Sequence, residues 1–115
     1  MDFEFEKRWR NLVVKLESQF GEEIDVEAIL FLIGVQELGQ GKKRFKKDEK
    51  LELMHIAICR VLEPFGYYAF SHFDKDQWPH YNVVKNLPFL KDEEQKHLMK
   101  RAILEYFETE DLIPE

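Results

Sequence analysis

The chain has 115 residues, the length of one domain around a single core, and its 44% apolar and 14% aromatic content is enough to fill that core. A net charge of −6 speaks against a general polyanion binder, and the lone cysteine, Cys59, excludes both an intrachain disulfide and a zinc site built on several thiolates. The opening residues lack a basic segment followed by an apolar run, and the longest apolar stretch, Ala28 to Val35, is too short for a bilayer, so no signal peptide or membrane span is expected and the cytoplasm is the expected compartment.

In chain order, the spacing of Phe5, Trp9, Leu12, Val13, Leu16 and Phe20 predicts a first helix from about Phe3 to Phe20, closed by Gly21. A second helix is predicted from Asp25, its N-cap, to Leu38, ended by Gly39 and Gly41. Its run from Ala28 to Val35 is apolar on every side, which predicts a central helix enclosed by its neighbours. A basic linker, Lys42-Lys43-Arg44-Phe45-Lys46-Lys47, leads to a third helix from Asp48 to about Leu62, with Leu51, Met54, Ile58, Leu62 and Phe65 as its main stripe, widened by Ile56, Ala57, Cys59 and Val61 so that this helix too is expected to be largely covered, and Pro64 and Gly66 beyond it.

Helical periodicity then fails over residues 66–90, where aromatics crowd. A β-hairpin is expected from Tyr67–Phe73 and Trp78–Val84 around Asp74-Lys75-Asp76-Gln77, with an irregular aromatic loop as its rival. That register sets Phe73 opposite Trp78 and Phe70 opposite Tyr81, and gives Tyr68, Phe70, Tyr81 and Val83 one face to pack on the helices. Pro79 places its strand at an edge. A fourth helix is expected from Asp92, capped reciprocally with Gln95, to about Phe107, with Gln95, Met99, Ala102, Ile103 and Tyr106 on one face and a fraying acidic end from Glu105 to Glu115. The expected fold is therefore one mainly α domain over residues 1–115, a four-helix orthogonal or bundle-like arrangement with the aromatic hairpin or loop between helices three and four.

Four groups of residues invite chemistry. The linker carries +5 in Lys42, Lys43, Arg44, Lys46 and Lys47, between segments of −5 and −6, and Phe45 is available for stacking on a base. Complementing a helix C-terminus is the plainer role, and no nucleic-acid-binding signature accompanies the loop. Glu52 with His55 and Glu94 with His97 show the Glu-x-x-His spacing of di-iron bundles, but the helical wheel turns His97 to water and Glu52 aside. His72, Asp74, Asp76 and His80 offer two imidazoles and two carboxylates for a divalent ion. The expected register turns the two histidines to opposite faces, and ordinary turn chemistry explains the aspartates. Finally, Glu37 lies on the Val26, Leu30 and Ile33 face of helix two, and His55 lies near the Leu51 and Met54 face of helix three. An antiparallel pairing of the two helices would let them meet as an acid–base unit or as a structural hydrogen bond.

Cys59, in an apolar stretch, reads as a small core residue, and no phosphate loop or nucleophile elbow is present. No cofactor is expected. A chain this short leaves little room for a deep catalytic pocket, whereas Tyr67, Tyr68, Trp78 and Tyr81 are residue types enriched at binding surfaces. The leading expectation is a non-enzymatic module that binds a protein partner or a second copy of itself. An acid–base or metal-assisted enzyme, and a nucleic-acid or phosphate contact through residues 42–47, are the alternatives.

Overall fold

The computed structural model describes residues 3–40 and 44–110. It contains four helices, α1 (Phe3–Phe20), α2 (Val26–Leu38), α3 (Lys47–Leu62) and α4 (Asp92–Thr109). A short 3-10 turn (Glu63–Phe65) and an antiparallel hairpin of β1 (Tyr68–Phe73) and β2 (Pro79–Val83) lie between α3 and α4. None of these helices is long and apolar enough to cross a membrane.

The ends of the first two helices follow local chemistry. Gly21 and Gly39 both take the left-handed conformation that a side chain resists (φ 76° and 69°), and their N–H groups close on Glu17 and Val35 carbonyls. Asp25 caps α2 by accepting the Ala28 N–H at 2.8 Å. The N-caps of the other two helices fall before the expected aspartates, at Lys46 instead of Asp48 for α3 and at Lys91 instead of Asp92 for α4. The N–H of Lys46 donates to Glu49 at 2.9 Å and that of Lys91 to Glu94 at 3.1 Å, so a glutamate reaching back from the first turn substitutes for an N-cap side chain.

A continuous core draws on all four helices: Phe5, Trp9, Leu12 and Leu16 of α1, Ile29, Leu30 and Ile33 of α2, Ala57, Val61 and Leu62 of α3, and Ala102, Ile103, Leu104, Tyr106 and Phe107 of α4. Three stripe assignments need correction. Phe20 is exposed, so the buried stripe of α1 ends at Leu16. On α3, Leu51 is 61% exposed, and the buried set is Leu53, Ile56, Ala57, Cys59, Val61 and Leu62, which points in all directions around the axis. On α4, Gln95 is exposed.

The hub is accordingly α3 and not α2. Helix α3 touches α2, α4, the 3-10 turn and both strands. Helix α2 buries Ile29, Leu30, Ile33, Gly34 and Leu38 but leaves Ala28, Phe31, Leu32 and Val35 half-buried, so its all-round apolar character overstates its enclosure. The α2–α3 contact is the largest between helices, and Gly34 lies directly against the α3 backbone. A Cβ added there would lie 2.2 Å from the Leu53 carbonyl oxygen. The acidic end of α4 is held rather than frayed as far as the described residues go. The helix runs to Thr109, with Glu108 paired to Arg8 and Glu110 to Arg60.

Candidate functional site

The hairpin between α3 and α4 assembles most of the chain's reactive side chains, and one irregularity determines how. Tyr68 pairs with Val83, Ala69 with Asn82 and Phe70 with Tyr81, as the sequence predicts. The register then shifts by one residue, so that His72 faces His80 and Phe73 faces Pro79. Ser71 is the extra residue, a β-bulge. Beyond it, the expected Phe73–Trp78 pairing is replaced by Phe73–Pro79. The prediction that His72 and His80 point to opposite faces is reversed: their rings stack 4.9 Å apart and within 5° of parallel.

Asp74 organises the turn. One carboxylate oxygen accepts the N–H groups of Asp76 (2.9 Å) and Trp78 (3.0 Å), and the other meets His80 Nε2 at 2.9 Å. The Asp74 N–H donates to the Trp78 carbonyl and its own carbonyl accepts the Gln77 N–H, while Gln77 takes a left-handed φ of 69°. The bond to His80, followed by the backbone donors, holds the Asp74 carboxyl below its ordinary range. Asp76 is exposed, and its carbonyl accepts from the Gln40 side chain just beyond α2.

His55 comes to this same region. With Glu52, Ile56 and Cys59 of α3 it lines a hollow of about 120 Å³ whose other wall is Asp74, Trp78, Pro79, His80 and Tyr81. The sequence therefore separated into two candidates what the fold brings to one place. The chemistry available is nonetheless limited. His55 Nε2 sits 3.6 Å from the Cys59 sulfur, but burial pushes the Cys59 thiol up to about 11, which keeps it protonated and poorly nucleophilic at neutral pH. Among the described residues, no three His, Cys, Asp or Glu side chains converge in a way that could hold a metal ion.

Glu37 does not meet His55. Its carboxylate accepts from Arg60 Nε at 3.2 Å and from the Tyr106 hydroxyl at 2.6 Å, joining α2, α3 and α4. Arg60 lies five residues past His55, about 140° further round the helix, so a carboxylate that reaches one cannot reach the other. Arg60 also pairs with Glu110, lies 4.0 Å from Glu63 and stands over the Tyr106 ring at 5.2 Å. Desolvation and the Glu37 hydrogen bond hold the Tyr106 hydroxyl far above its ordinary range. This is a structural network in which the Glu37 oxygens are already engaged.

Of the linker cations, Arg44, Lys46 and Lys47 are exposed, and Lys42 and Lys43 lie outside the described residues. Phe45 is not a free stacking platform: it packs edge-on against Phe31 of α2, 6.1 Å between ring centres. His97 is exposed, as the helical wheel indicates, and its ring lies 4.7 Å from that of Phe5.

The four aromatics singled out as binding residues, Tyr67, Tyr68, Trp78 and Tyr81, are all half-buried. The apolar surface lies elsewhere. On the hairpin face expected to pack, Phe70 (43%) and Val83 (64%) are exposed, and beyond it so are Val84, Leu87 and Phe89, the last at 100%. Segment 84–91 runs in irregular conformation along α4, and between them opens a groove of about 450 Å³. Tyr67, Pro88, Leu90 and Leu98 line it together with the polar Glu93, Glu94, His97 and Arg101. Sequence reasoning noticed the crowding of aromatics but not which would be exposed. The proline of Leu87-Pro88-Phe89-Leu90 signals irregular structure in this apolar run, but the run carries no signal of which of its residues stay exposed.

Comparison with known protein families, curated proteins and solved structures finds no match to this chain.

Proposed function

We propose that the protein is a non-enzymatic, cytoplasmic interaction module with a bundle-like helical body, and that it self-associates through segment 83–90 and the groove beside it. The observation that supports this is the full exposure of Phe89 between Pro88 and Leu90, two residues that line the 450 Å³ groove. Knob and hole are adjacent on one surface. A two-fold interface needs that arrangement, because the same patch must supply both the inserting and the receiving residue. Val83, Val84 and Leu87 of the same segment are also exposed, and clustered exposed apolar side chains mark interaction surfaces. Self-burial removes these side chains from water, each contributing on the order of 1–2 kcal/mol.

Light scattering after gel filtration tests the proposal. The expected result is a dimer for the native chain and a monomer with unchanged helical circular dichroism for Leu87→Ser combined with Phe89→Ser. A native chain that stays monomeric at high concentration, or a dimer indifferent to the double substitution, overturns it.

A further inference from the structure

The bulge at Ser71 has a second effect, on the face of the hairpin opposite the stacked histidines. In an unbroken strand, Phe70 and Phe73, three residues apart, would point to opposite faces. The extra residue puts Phe73 back on the face of Phe70 and Tyr81. Three rings gather there: Phe70 and Phe73 have centres 5.0 Å apart at 57°, and Phe70 and Tyr81 have centres 5.9 Å apart at 82°. With Pro79, they wall a cavity of about 260 Å³ whose remaining lining is Glu37, Arg60 and Glu63.

The charges of this cavity favour a cation. Arg60 is the one positive group in the lining, and Glu37, Glu63 and Glu110, outside it, draw on that guanidinium together. One cation among three carboxylates leaves the neighbourhood negative. The Tyr81 hydroxyl registers the same field, being pushed up to about 12 by burial first and then by Glu37 and Glu63. Glu63 accepts the Phe70 N–H at 3.0 Å on one oxygen, which fixes the carboxylate beside the rings with lone pairs to spare. Aromatic faces at steep mutual angles beside a carboxylate suit an ammonium bearing alkyl groups: the ring quadrupoles and the carboxylate attract its charge, and the rings cover its carbon surface.

We propose that the cavity of Phe70, Phe73, Pro79 and Tyr81, whose lining also includes Glu37, Glu63 and the Arg60 they pair with, binds an alkylammonium group. This site is separate from the self-association surface and does not depend on it. The ligand is either a small quaternary amine or the methylated lysine of a partner protein, and the two share the chemistry that the cavity recognises.

The test is a titration of the full chain followed by the ring resonances of Phe70, Phe73 and Tyr81 in NMR spectra. The probes are choline, its uncharged carbon isostere 3,3-dimethyl-1-butanol, and a short peptide carrying trimethyllysine. The expected result is saturable shifts on these three rings with a cation, and binding of the isostere weaker by fivefold or more, the ratio that roughly 1 kcal/mol of cation–π attraction produces. Phe73→Leu keeps an apolar residue at an exposed strand end yet removes a ring. Glu63→Gln keeps an acceptor for the Phe70 N–H yet removes the charge. Each should weaken the cation about fivefold and leave the isostere unchanged. Tighter binding of choline identifies a small amine as the ligand, and tighter binding of the peptide identifies a protein partner. Equal binding of choline and its isostere, shifts centred on other residues, or no saturable shift with either cation overturns the proposal.

Discussion

Replacing Gly34 by alanine pits two well-understood effects against each other with opposite signs. Gly34 lies inside α2, away from either end, with no positive φ to preserve, so helix propensity alone predicts that Gly34→Ala stabilises the protein by about 1 kcal/mol. The tertiary contact predicts the reverse. The new methyl carbon would sit 2.2 Å from the Leu53 carbonyl oxygen, 2.7 Å from its carbonyl carbon and 2.9 Å from its Cβ. Two of these three atoms are backbone in the middle of a helix and cannot rotate away. Relief requires α2 and α3 to separate by roughly 1 Å at their crossing, to bring the closest pair near van der Waals distance. That shift loosens Ile29, Leu30 and Ile33 against the rest of the core, at a cost in the upper part of the roughly 1–3 kcal/mol range for overpacked interiors. The net expectation is a loss of about 2 kcal/mol, a fall in Tm of roughly 5–10 °C for a chain of this size. Urea and thermal unfolding followed by circular dichroism read it directly, with Gln36→Ala, an exposed position of the same helix, as the control expected to stay within about 0.5 kcal/mol. A Gly34→Ala variant as stable as the native protein, or more so, would refute the claim that backbone proximity at this glycine sets the α2–α3 packing.

Two further outcomes follow from the network at the helix junction. A double-mutant cycle of Glu37→Gln and Tyr106→Phe should return a coupling of about 1 kcal/mol, the value of a charge-assisted hydrogen bond discounted for its partial exposure, whereas additive effects would mean that the 2.6 Å contact contributes nothing to stability. Tyr81 has its folded-state pKa raised from 10.0 to about 12, so its neutral form is the one the fold favours. Its contribution to stability is complete below pH 10.0 and is lost as the pH rises towards 12, so the urea midpoint should fall over that window, and it should fall less in Tyr81→Phe. An equal alkaline decline in both proteins contradicts the assignment.

The hairpin shows where sequence reasoning reached its limit. Alternation and the Asp74–Gln77 turn located two strands, and the Phe70–Tyr81 pair was correctly placed. Nothing local announced the bulge: Ser71 is neither glycine nor proline. A register shift of one residue reverses the facing of every side chain beyond it. The stacking of His72 on His80, the shared face of Phe70 and Phe73, and the cavity those rings enclose all follow from this single position. Similarly, an apolar residue in an irregular segment gives no sign in sequence of whether a neighbour will cover it, so Phe89 could not be told from Tyr67.

What the sequence by itself determined is what depends on neighbours within about four residues: the spans of the four helices, the Asp25 cap, the left-handed glycines at 21 and 39, and the break in periodicity after Phe65. Helix hydrogen bonds and caps operate over that distance, so composition and spacing encode them directly. Only the tertiary structure decided that α3 is the hub, that Gly34 is a point of contact, and that Glu37 belongs to Arg60 and Tyr106 rather than to His55. Those partners stand 23 and 69 residues away along the chain. The pairing of groups so far apart is set by how whole helices cross, an outcome of all the core contacts together that no single stretch of sequence specifies.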